Sequence, residues 1–108
     1  MERSWSEKCY KTLAAFGNGL GGTMIIGKDD DGTIFGVTDP EKLMEDIPNG
    51  VKDKLKFLPA LERVSEDGKE CIRIIVESQK HPVYYDGRYY VRSGSITTIL
   101  EGHNSQWN

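Results

Sequence analysis

The sequence predicts an α+β domain in which two helical segments pack on a mixed, mostly antiparallel β-sheet. Apolar residues recur every three or four positions within residues 5–16 and 43–58, which is the period of one helix face. Asp-Gly occurs three times between β-prone runs, at residues 31–32, 67–68 and 86–87, and this pair is typical of tight β-hairpins. A chain of 108 residues has room for one such domain with a modest core.

The first helix is predicted from its apolar face, which consists of Trp5, Cys9, Leu13 and Phe16. Ser4 is the predicted N-cap, because Glu7 follows three residues later and completes a capping box. Residues 17–19, Gly-Asn-Gly, are predicted to end the helix, since these residue types accept the left-handed conformation that stops helices.

Each Asp-Gly pair is predicted to join two strands. The first joins residues 23–28 to 33–37, the second joins 61–64 to 70–77, and the third joins 83–85 to 88–91. Residues 71–76 are largely apolar on both faces, and a strand buried on both faces normally has a neighbour on each side. This strand is therefore predicted to be central.

The second helix is predicted between the first and second hairpins. Residues 38–41, Thr-Asp-Pro-Glu, form a capping box with proline in the first turn. A helical period then continues through Leu43, Ile47, Val51, Leu55 and Leu58. Because Pro48 falls inside this period, we expect a kink or two abutting helices. Residues 49–50, Asn-Gly, allow a turn as the alternative, but the continuing period favours helix.

The charge and hydropathy of the chain exclude several classes of protein. A net charge of −3 and a pI near 5.4 argue against a protein that coats DNA, so any nucleic-acid contact must come from a local patch. No apolar run approaches the roughly 20 residues that span a bilayer, and no signal-peptide pattern is present. The sequence predicts a cytoplasmic protein without membrane contact, in which Cys9 and Cys71 are reduced and buried.

Three patterns suggest cofactor or metal sites, and none is supported by its context. Residues 17–22 contain Gly-x-Gly-x-x-Gly, but they follow a helix and precede a strand, the reverse of the dinucleotide fingerprint. The aspartates at 29–31 lack the alternating ligands of a calcium loop, although crowded carboxylates can recruit a divalent ion. His81 and His103 have no partner at ligand or triad spacing. We expect no nucleotide at residues 17–22, no cofactor and no metal site.

Two separated segments carry a family signature. Residues 13–32, LAAFGNGLGGTMIIGKDDDG, follow a pattern that runs from Ala-Phe-Ala-Asn through Gly-Gly to Gly-Val-Asp-Asp-x-Gly. Residues 81–95, HPVYYDGRYYVRSGS, follow a second pattern of Pro-x-Tyr, a glycine turn and Tyr-x-Arg-x-Gly-Ser. In this order and spacing they resemble the Schlafen AlbA-type domain family. We assign residues 1–98 to this domain and residues 99–108 to a tail or a connection to a further region.

The resemblance implies a nucleic-acid-binding module, with DNA as the expected partner. Such domains typically stand at the N-terminus of transcriptional regulators or ATP-dependent helicase-related proteins, before an ATPase-like region and a winged helix. Gly17 and Lys28 depart from the family's usual alanine and valine. The glutamate-rich strand that normally precedes the first helix is missing.

That missing strand bears on catalysis. In vertebrate relatives two glutamates of this strand and an aspartate of the Asp-Asp turn form a metal-dependent ribonuclease site. Only Asp29 carries over by position, because Glu2 matches neither glutamate. The resemblance therefore implies that this chain alone does not cleave nucleic acid.

Basic residues, a tyrosine and serines in or beside the two motifs form the predicted interface, which consists of Lys28, Lys80, Arg88, Tyr90, Arg92, Ser93 and Ser95. Lysine and arginine bind phosphates, the tyrosines at 84–85 and 89–90 offer rings to unpaired bases, and residues 93–95 offer hydroxyl and N–H groups to an anion. Alternating tyrosines are equally typical of a hairpin with one face in the core. Two other functions stay open: a metal-dependent ribonuclease, and an oligomerisation or protein-interaction module.

Overall fold

The computed structural model describes residues 1–100, which contain two helices and six strands. In chain order these are α1 (Glu7–Asn18), β1 (Gly22–Ile26), α2 (Pro40–Leu55), β2 (Ala60–Glu66), β3 (Lys69–Val76), β4 (Tyr84–Tyr85), β5 (Arg88–Ser93) and β6 (Ile96–Ile99). The strands pair in antiparallel fashion, and the predicted α+β class is confirmed. His103 and most of the predicted tail lie outside the described residues.

The first sheet has the strand order β1-β3-β2, with β3 in the centre as predicted. On its inner face Met24 pairs with Ile74 and Ile26 pairs with Ile72, and all four side chains are buried. On the outer face the Glu62 carboxylate of β2 lies 2.6 Å from the Arg73 guanidinium of β3. The sheet therefore has one buried face against the helices and one partly exposed face, on which this ion pair lies beside Cys71 and Ile75.

The second sheet has the order β4-β5-β6, so the strands are divided between two sheets rather than gathered in one. Strand β6 was not predicted from the sequence. It follows a two-residue turn, Gly94-Ser95, in which Gly94 has a φ of 64°, as the first position of a type II′ turn requires. Leu100 N donates to Tyr89 O at 2.8 Å, so the hydrogen bonding between β5 and the following chain continues one residue beyond β6.

The three Asp-Gly pairs have different roles. Residues 67–68 link β2 to β3, residues 86–87 link β4 to β5, and in both turns the two residues have positive φ, as in type I′ turns. Residues 29–33 instead form a loop that is closed by a single bridge between Lys28 and Ile34. The predicted strand at 33–37 is wrong, because the ladder stops after Ile34: Phe35 N and Gly36 N both donate to Gly27 O, at 2.7 and 2.9 Å, and Gly36 has a φ of 76°.

The helices begin at caps one or two residues away from those predicted. Helix α1 begins after Ser6, which makes no side-chain cap bond, and the predicted cap Ser4 lies outside the helix. Helix α2 begins at Pro40 after Asp39, whose side chain accepts an N–H bond three residues on at 3.2 Å. The carboxylate of Asp39, rather than Thr38, is therefore the cap of α2.

The helix ends also differ in part from the prediction. Helix α1 ends at Asn18, and the positive φ of 87° lies later, at Gly21. Helix α2 continues through Pro48 and Gly50 as one helix, so the two-helix and turn alternatives are wrong. The helix is continuous although Pro48 has no N–H to donate, and its buried residues Ile47, Val51 and Leu55 pack in the core on both sides of the proline. Leu58 lies beyond the helix and is 65% exposed.

The core lies between the two helices and the inner faces of both sheets. Fully buried side chains come from α1, β1, α2 and β3, among them Cys9, Leu13, Ile26, Ile47 and Ile72. Under the second sheet the core continues with the rings of two buried tyrosines, 85 and 90. Both thiols are buried and unpaired, and burial raises the pKa of Cys9 and Cys71, which makes them weak nucleophiles.

The two helices meet where Tyr10 of α1 lies against Gly50 of α2. The Tyr10 ring is held between Trp5, at a centroid distance of 5.0 Å, and Tyr85, at 5.6 Å. A Cβ atom added at Gly50 would overlap Tyr10 Oη, and the Tyr10 ring is packed between two aromatic neighbours. Glycine at this position therefore leaves room for the Tyr10 hydroxyl, although glycine weakens a helix interior.

We expect Gly50→Ala to lower the free energy of unfolding by about 1–3 kcal/mol through overpacking, although the same change in an exposed helix stabilises by about 1 kcal/mol. Tyr10→Phe removes the overlapping oxygen, so the double variant should lose less stability than the two single variants together. Urea denaturation of the four proteins measures the coupling. A Gly50→Ala variant as stable as the parent would contradict the assigned contact.

Candidate nucleic-acid interface

Asn18, the last residue of α1, attaches the second sheet to the rest of the domain. Its Nδ2 atom donates to Val83 O and to Tyr90 O, both at 2.9 Å, and its Oδ1 atom accepts from Val83 N at 2.7 Å. Just before it, Gly17 O accepts from Gln79 N at 2.8 Å. One amide side chain thus fixes the start of β4 and the middle of β5, and these strands position the predicted interface.

The glycine-rich segment after Asn18 forms a tight connection between α1 and β1. Phe16 O accepts hydrogen bonds from Gly19 N at 3.1 Å and from Gly21 N at 2.9 Å. A Cβ atom at Gly21 would lie 2.6 Å from Val76 O, so the segment brings two backbones into close contact. These glycines allow a close approach of main chain to main chain. The expectation that no nucleotide binds there stays a prediction.

A cleft of about 560 Å³ separates α1 from β6. Three basic side chains and five hydroxyl-bearing residues line it, together with two carboxylates at one end: Lys8, Lys11, Arg92, Thr12, Tyr90, Ser95, Thr97, Thr98, Glu2 and Asp30. This composition suits an anionic ligand that accepts several hydrogen bonds.

Arg92 is the cation whose position in this cleft is most restricted. Its Nη1 atom donates to Thr97 Oγ1 at 2.9 Å, and Thr97 Oγ1 lies 3.3 Å from the buried Thr12 Oγ1. The guanidinium carbon also lies 5.2 Å from the centre of the Phe16 ring, within the range of a cation–π contact. The guanidinium is therefore oriented before any ligand arrives.

The charges of the cleft are unequally neutralised. At its acidic end Glu2 lies 3.9 Å from Lys8 Nζ, and Asp30 lies 3.2 Å from the terminal amino group. Lys11 and Arg92 form no ion pair with a carboxylate of residues 1–100. These two exposed cations can bind a ligand without first leaving a carboxylate partner.

The structure brings together only part of the predicted interface. Arg92 and Ser95 line the cleft, whereas Lys28 is largely buried and paired with Glu66 at 3.3 Å. Tyr90 is only 5% exposed, and its ring packs in the core with Tyr85. We therefore assign Tyr90 to the core, because a buried ring offers no face to a base.

The remaining predicted residues lie at the surface outside the cleft. Lys80 precedes β4, Arg88 begins β5 and Ser93 ends it, and all three are exposed. Sequence reasoning missed Lys8 and Lys11. Their spacing of three residues places them on one face of α1, and this is the signal that could have found them.

Asp29, the residue carried over by the family resemblance, lies in the loop after β1. Among residues 1–100 no three histidine, cysteine or acidic side chains gather as a metal site. Glu2 forms a parallel bridge with Ile26, in which Glu2 N donates to Ile25 O at 2.9 Å. Its contribution to the sheet is therefore made through its backbone.

Comparison with known proteins assigns the family. The model of the family described as Schlafen, AlbA_2 matches residues 2–101. The chain belongs to the Schlafen AlbA_2 family. Among curated proteins, none matches this sequence.

No helix within residues 1–100 of this AlbA_2 domain has the length and apolar character needed to cross a membrane.

Two solved structures share the fold. The DIP2311 protein of Corynebacterium diphtheriae aligns with a TM-score of 0.78 at 22% identity, over 87% of this chain and 19% of that one. The N-terminal domain of a RecG-related helicase protein of Nitrosomonas europaea aligns with a TM-score of 0.64 at 23% identity, over 91% and 79%. The AlbA_2 domain thus spans about a fifth of the length of the first neighbour and most of the second.

Asn18 can be tested by its effect on stability. We expect Asn18→Ala to lower the free energy of unfolding by about 2 kcal/mol or more, because it leaves backbone groups of Val83 and Tyr90 without partners. Asn18→Asp should lose at least as much at neutral pH, since it places a carboxylate against two carbonyl oxygens. Urea denaturation measures both, with the exposed Asn49→Ala as the control. Equal stability of all four proteins would contradict the anchoring role.

Proposed function

We propose that this AlbA_2 domain binds nucleic acid, with DNA as the expected ligand, as one part of a larger transcriptional regulator or helicase-related protein. The supporting observation is the cleft between α1 and β6, in which two cations without carboxylate partners in residues 1–100 stand beside a row of hydroxyls. A phosphate oxygen needs these two kinds of group, a cation and short hydrogen-bond donors.

The two cations have complementary chemistry. The guanidinium of Arg92 offers a planar set of donors, and its contact with Thr97 restricts that plane before binding. Lys11 carries its charge at the end of a flexible side chain, and its Nζ atom lies 6.0 Å from the centre of the Tyr90 ring. This ammonium group can follow a phosphate that moves along the cleft. Ser95 and Thr98 add hydroxyl donors at the opposite wall. In this proposal the cleft contacts the nucleic-acid backbone and does not read bases.

The overall charge of −3 limits how strong this binding can be. Most of the affinity of a non-specific complex comes from neutralised phosphates, and few cations are free to supply it here. We therefore propose a weak, salt-sensitive contact that positions the domain, with further affinity supplied by other parts of the protein. The similarity to an N-terminal domain of a RecG-related helicase protein is consistent with such an arrangement.

Salt-dependent binding tests the proposal. We expect Arg92→Gln and Lys11→Gln each to weaken binding to all DNA sequences alike and to reduce the slope of log affinity against log salt by about one unit. Fluorescence anisotropy of short labelled DNA at several salt concentrations gives both quantities. Lys52→Gln on α2 removes the same charge from a helix that contributes no residue to the cleft, and serves as the control.

Two results would contradict DNA binding at the cleft and favour the alternative oligomerisation function. If the affinity for DNA is unchanged in both cleft variants, or if all three variants weaken it equally, the cleft is not the binding surface. A parent protein that shows no binding at any salt concentration would refute the proposed function itself.

A further inference from the structure

The four tyrosines of the β4–β5 hairpin point to opposite sides of the second sheet. Tyr85 and Tyr90 lie in the core at 6% and 5% exposure, and Tyr85 Oη donates to the Glu7 carboxylate of α1 at 2.6 Å. Tyr84 and Tyr89 are direct partners across the hairpin on the outer face, with ring centres 5.6 Å apart at an angle of 61°. Tyr84 is 54% exposed. Only the inner pair is explained by packing.

A groove of about 540 Å³ lies beside the outer pair. The two tyrosine rings, Pro82, Ile99 and Leu100 supply apolar walls, and Arg88 is the one charged residue among those that line it. Ile99 and Leu100 remain 37% and 54% exposed. The two tyrosine rings can stack on a flat, uncharged ring such as a nucleic-acid base. Arg88 lies beside them and can bind the phosphate attached to that base, and no acidic residue lines the groove to repel it.

We infer that this groove, formed by Pro82, Tyr84, Arg88, Tyr89, Ile99 and Leu100, binds unpaired bases, so that the nucleic acid bound by the domain is single-stranded. The inference rests on the proposed function, because it assigns the bases of a strand whose phosphates lie in the cleft. Bases of a duplex are already stacked on both sides, whereas an unpaired base gains a partner on an exposed tyrosine.

The groove and the cleft are close enough to contact one short nucleic-acid strand. Ile99 lines both the groove and the cleft, so a strand that passes over the edge of β6 reaches from one to the other. Arg88 begins β5 and Arg92 is its last residue but one, four residues and about 13 Å farther along the strand. Arg88 thus receives a place in the interface on the groove side, separate from Arg92.

The test compares three labelled oligonucleotides of equal length with the intact chain: a single strand, the corresponding duplex and an abasic single strand that keeps the phosphates. We expect the single strand to bind more tightly than the other two. Tyr84→Ala should weaken binding of the single strand about fivefold or more and leave the abasic strand unchanged. Tyr84→Phe, which keeps the ring, should restore binding, whereas Tyr84→Leu, which keeps apolar area alone, should not. Leu58→Ala removes an exposed apolar side chain elsewhere and is the control.

The outcomes separate this inference from the proposed function. Salt-sensitive binding that is equal for all three oligonucleotides refutes the base-binding groove and leaves the phosphate cleft standing. Full affinity in Tyr84→Leu also refutes it, since apolar contact would then suffice. Self-association that sedimentation detects in the parent and not in Tyr84→Ala would assign the groove to a second copy of the chain. Absence of all binding refutes both proposals together.

Discussion

The arrangement of this domain depends on the side-chain amide of Asn18. Two small sheets have no strand in common, and the second is too small to be stable without a surface to pack on. The amide satisfies three backbone groups, two of Val83 just before β4 and one of Tyr90 in β5, and it does so from the end of the helix on which the sheet rests. Near the beginning of α1, the second sheet is attached to the same helix by the stacked rings of Tyr10 and Tyr85 and by the hydrogen bond from Tyr85 to Glu7. The cleft has its shape because these contacts hold β5 and β6 beside the helix.

The distribution of ion pairs explains how an acidic chain presents a basic cleft. Three pairs in or beside the first sheet join cations to glutamates: Arg73–Glu62, Arg63–Glu70 and Lys28–Glu66. The second sheet takes part in no ion pair within residues 1–100, and its arginines remain available. The net charge therefore describes the surface poorly, because the cations of the first sheet are paired with glutamates, whereas Arg88 and Arg92 have no carboxylate partner within residues 1–100. This separation determines where a polyanion meets the least repulsion.

Features that depend on neighbouring residues could be predicted from the sequence, and features that depend on distant partners could not. The central position of β3 follows from its own apolar pattern, and the turns at 67–68 and 86–87 follow from residue types that accept positive φ. Strand β6 carries a weak apolar pattern, and the Gly94-Ser95 turn that pairs it with β5 was not recognised in the sequence. The cleft was recognised only in part, since Lys11 and Arg92 come together through packing. Tyr90 was assigned to the surface because alternation alone does not say which face of a hairpin is covered.

Asn18 and its hydrogen-bond partners are far apart in the sequence, and this distance bears on the order in which the parts of the domain fold. The β2–β3 and β4–β5 hairpins close through two-residue turns, so their strands meet early and with little loss of chain entropy. The bonds from Asn18 join positions 65 and 72 residues apart, and such distant contacts form slowly. We therefore expect the second sheet to dock on α1 late in folding and to take part in partial opening of the native state. Its amide protons should exchange with solvent through this partial opening, ahead of those in β3.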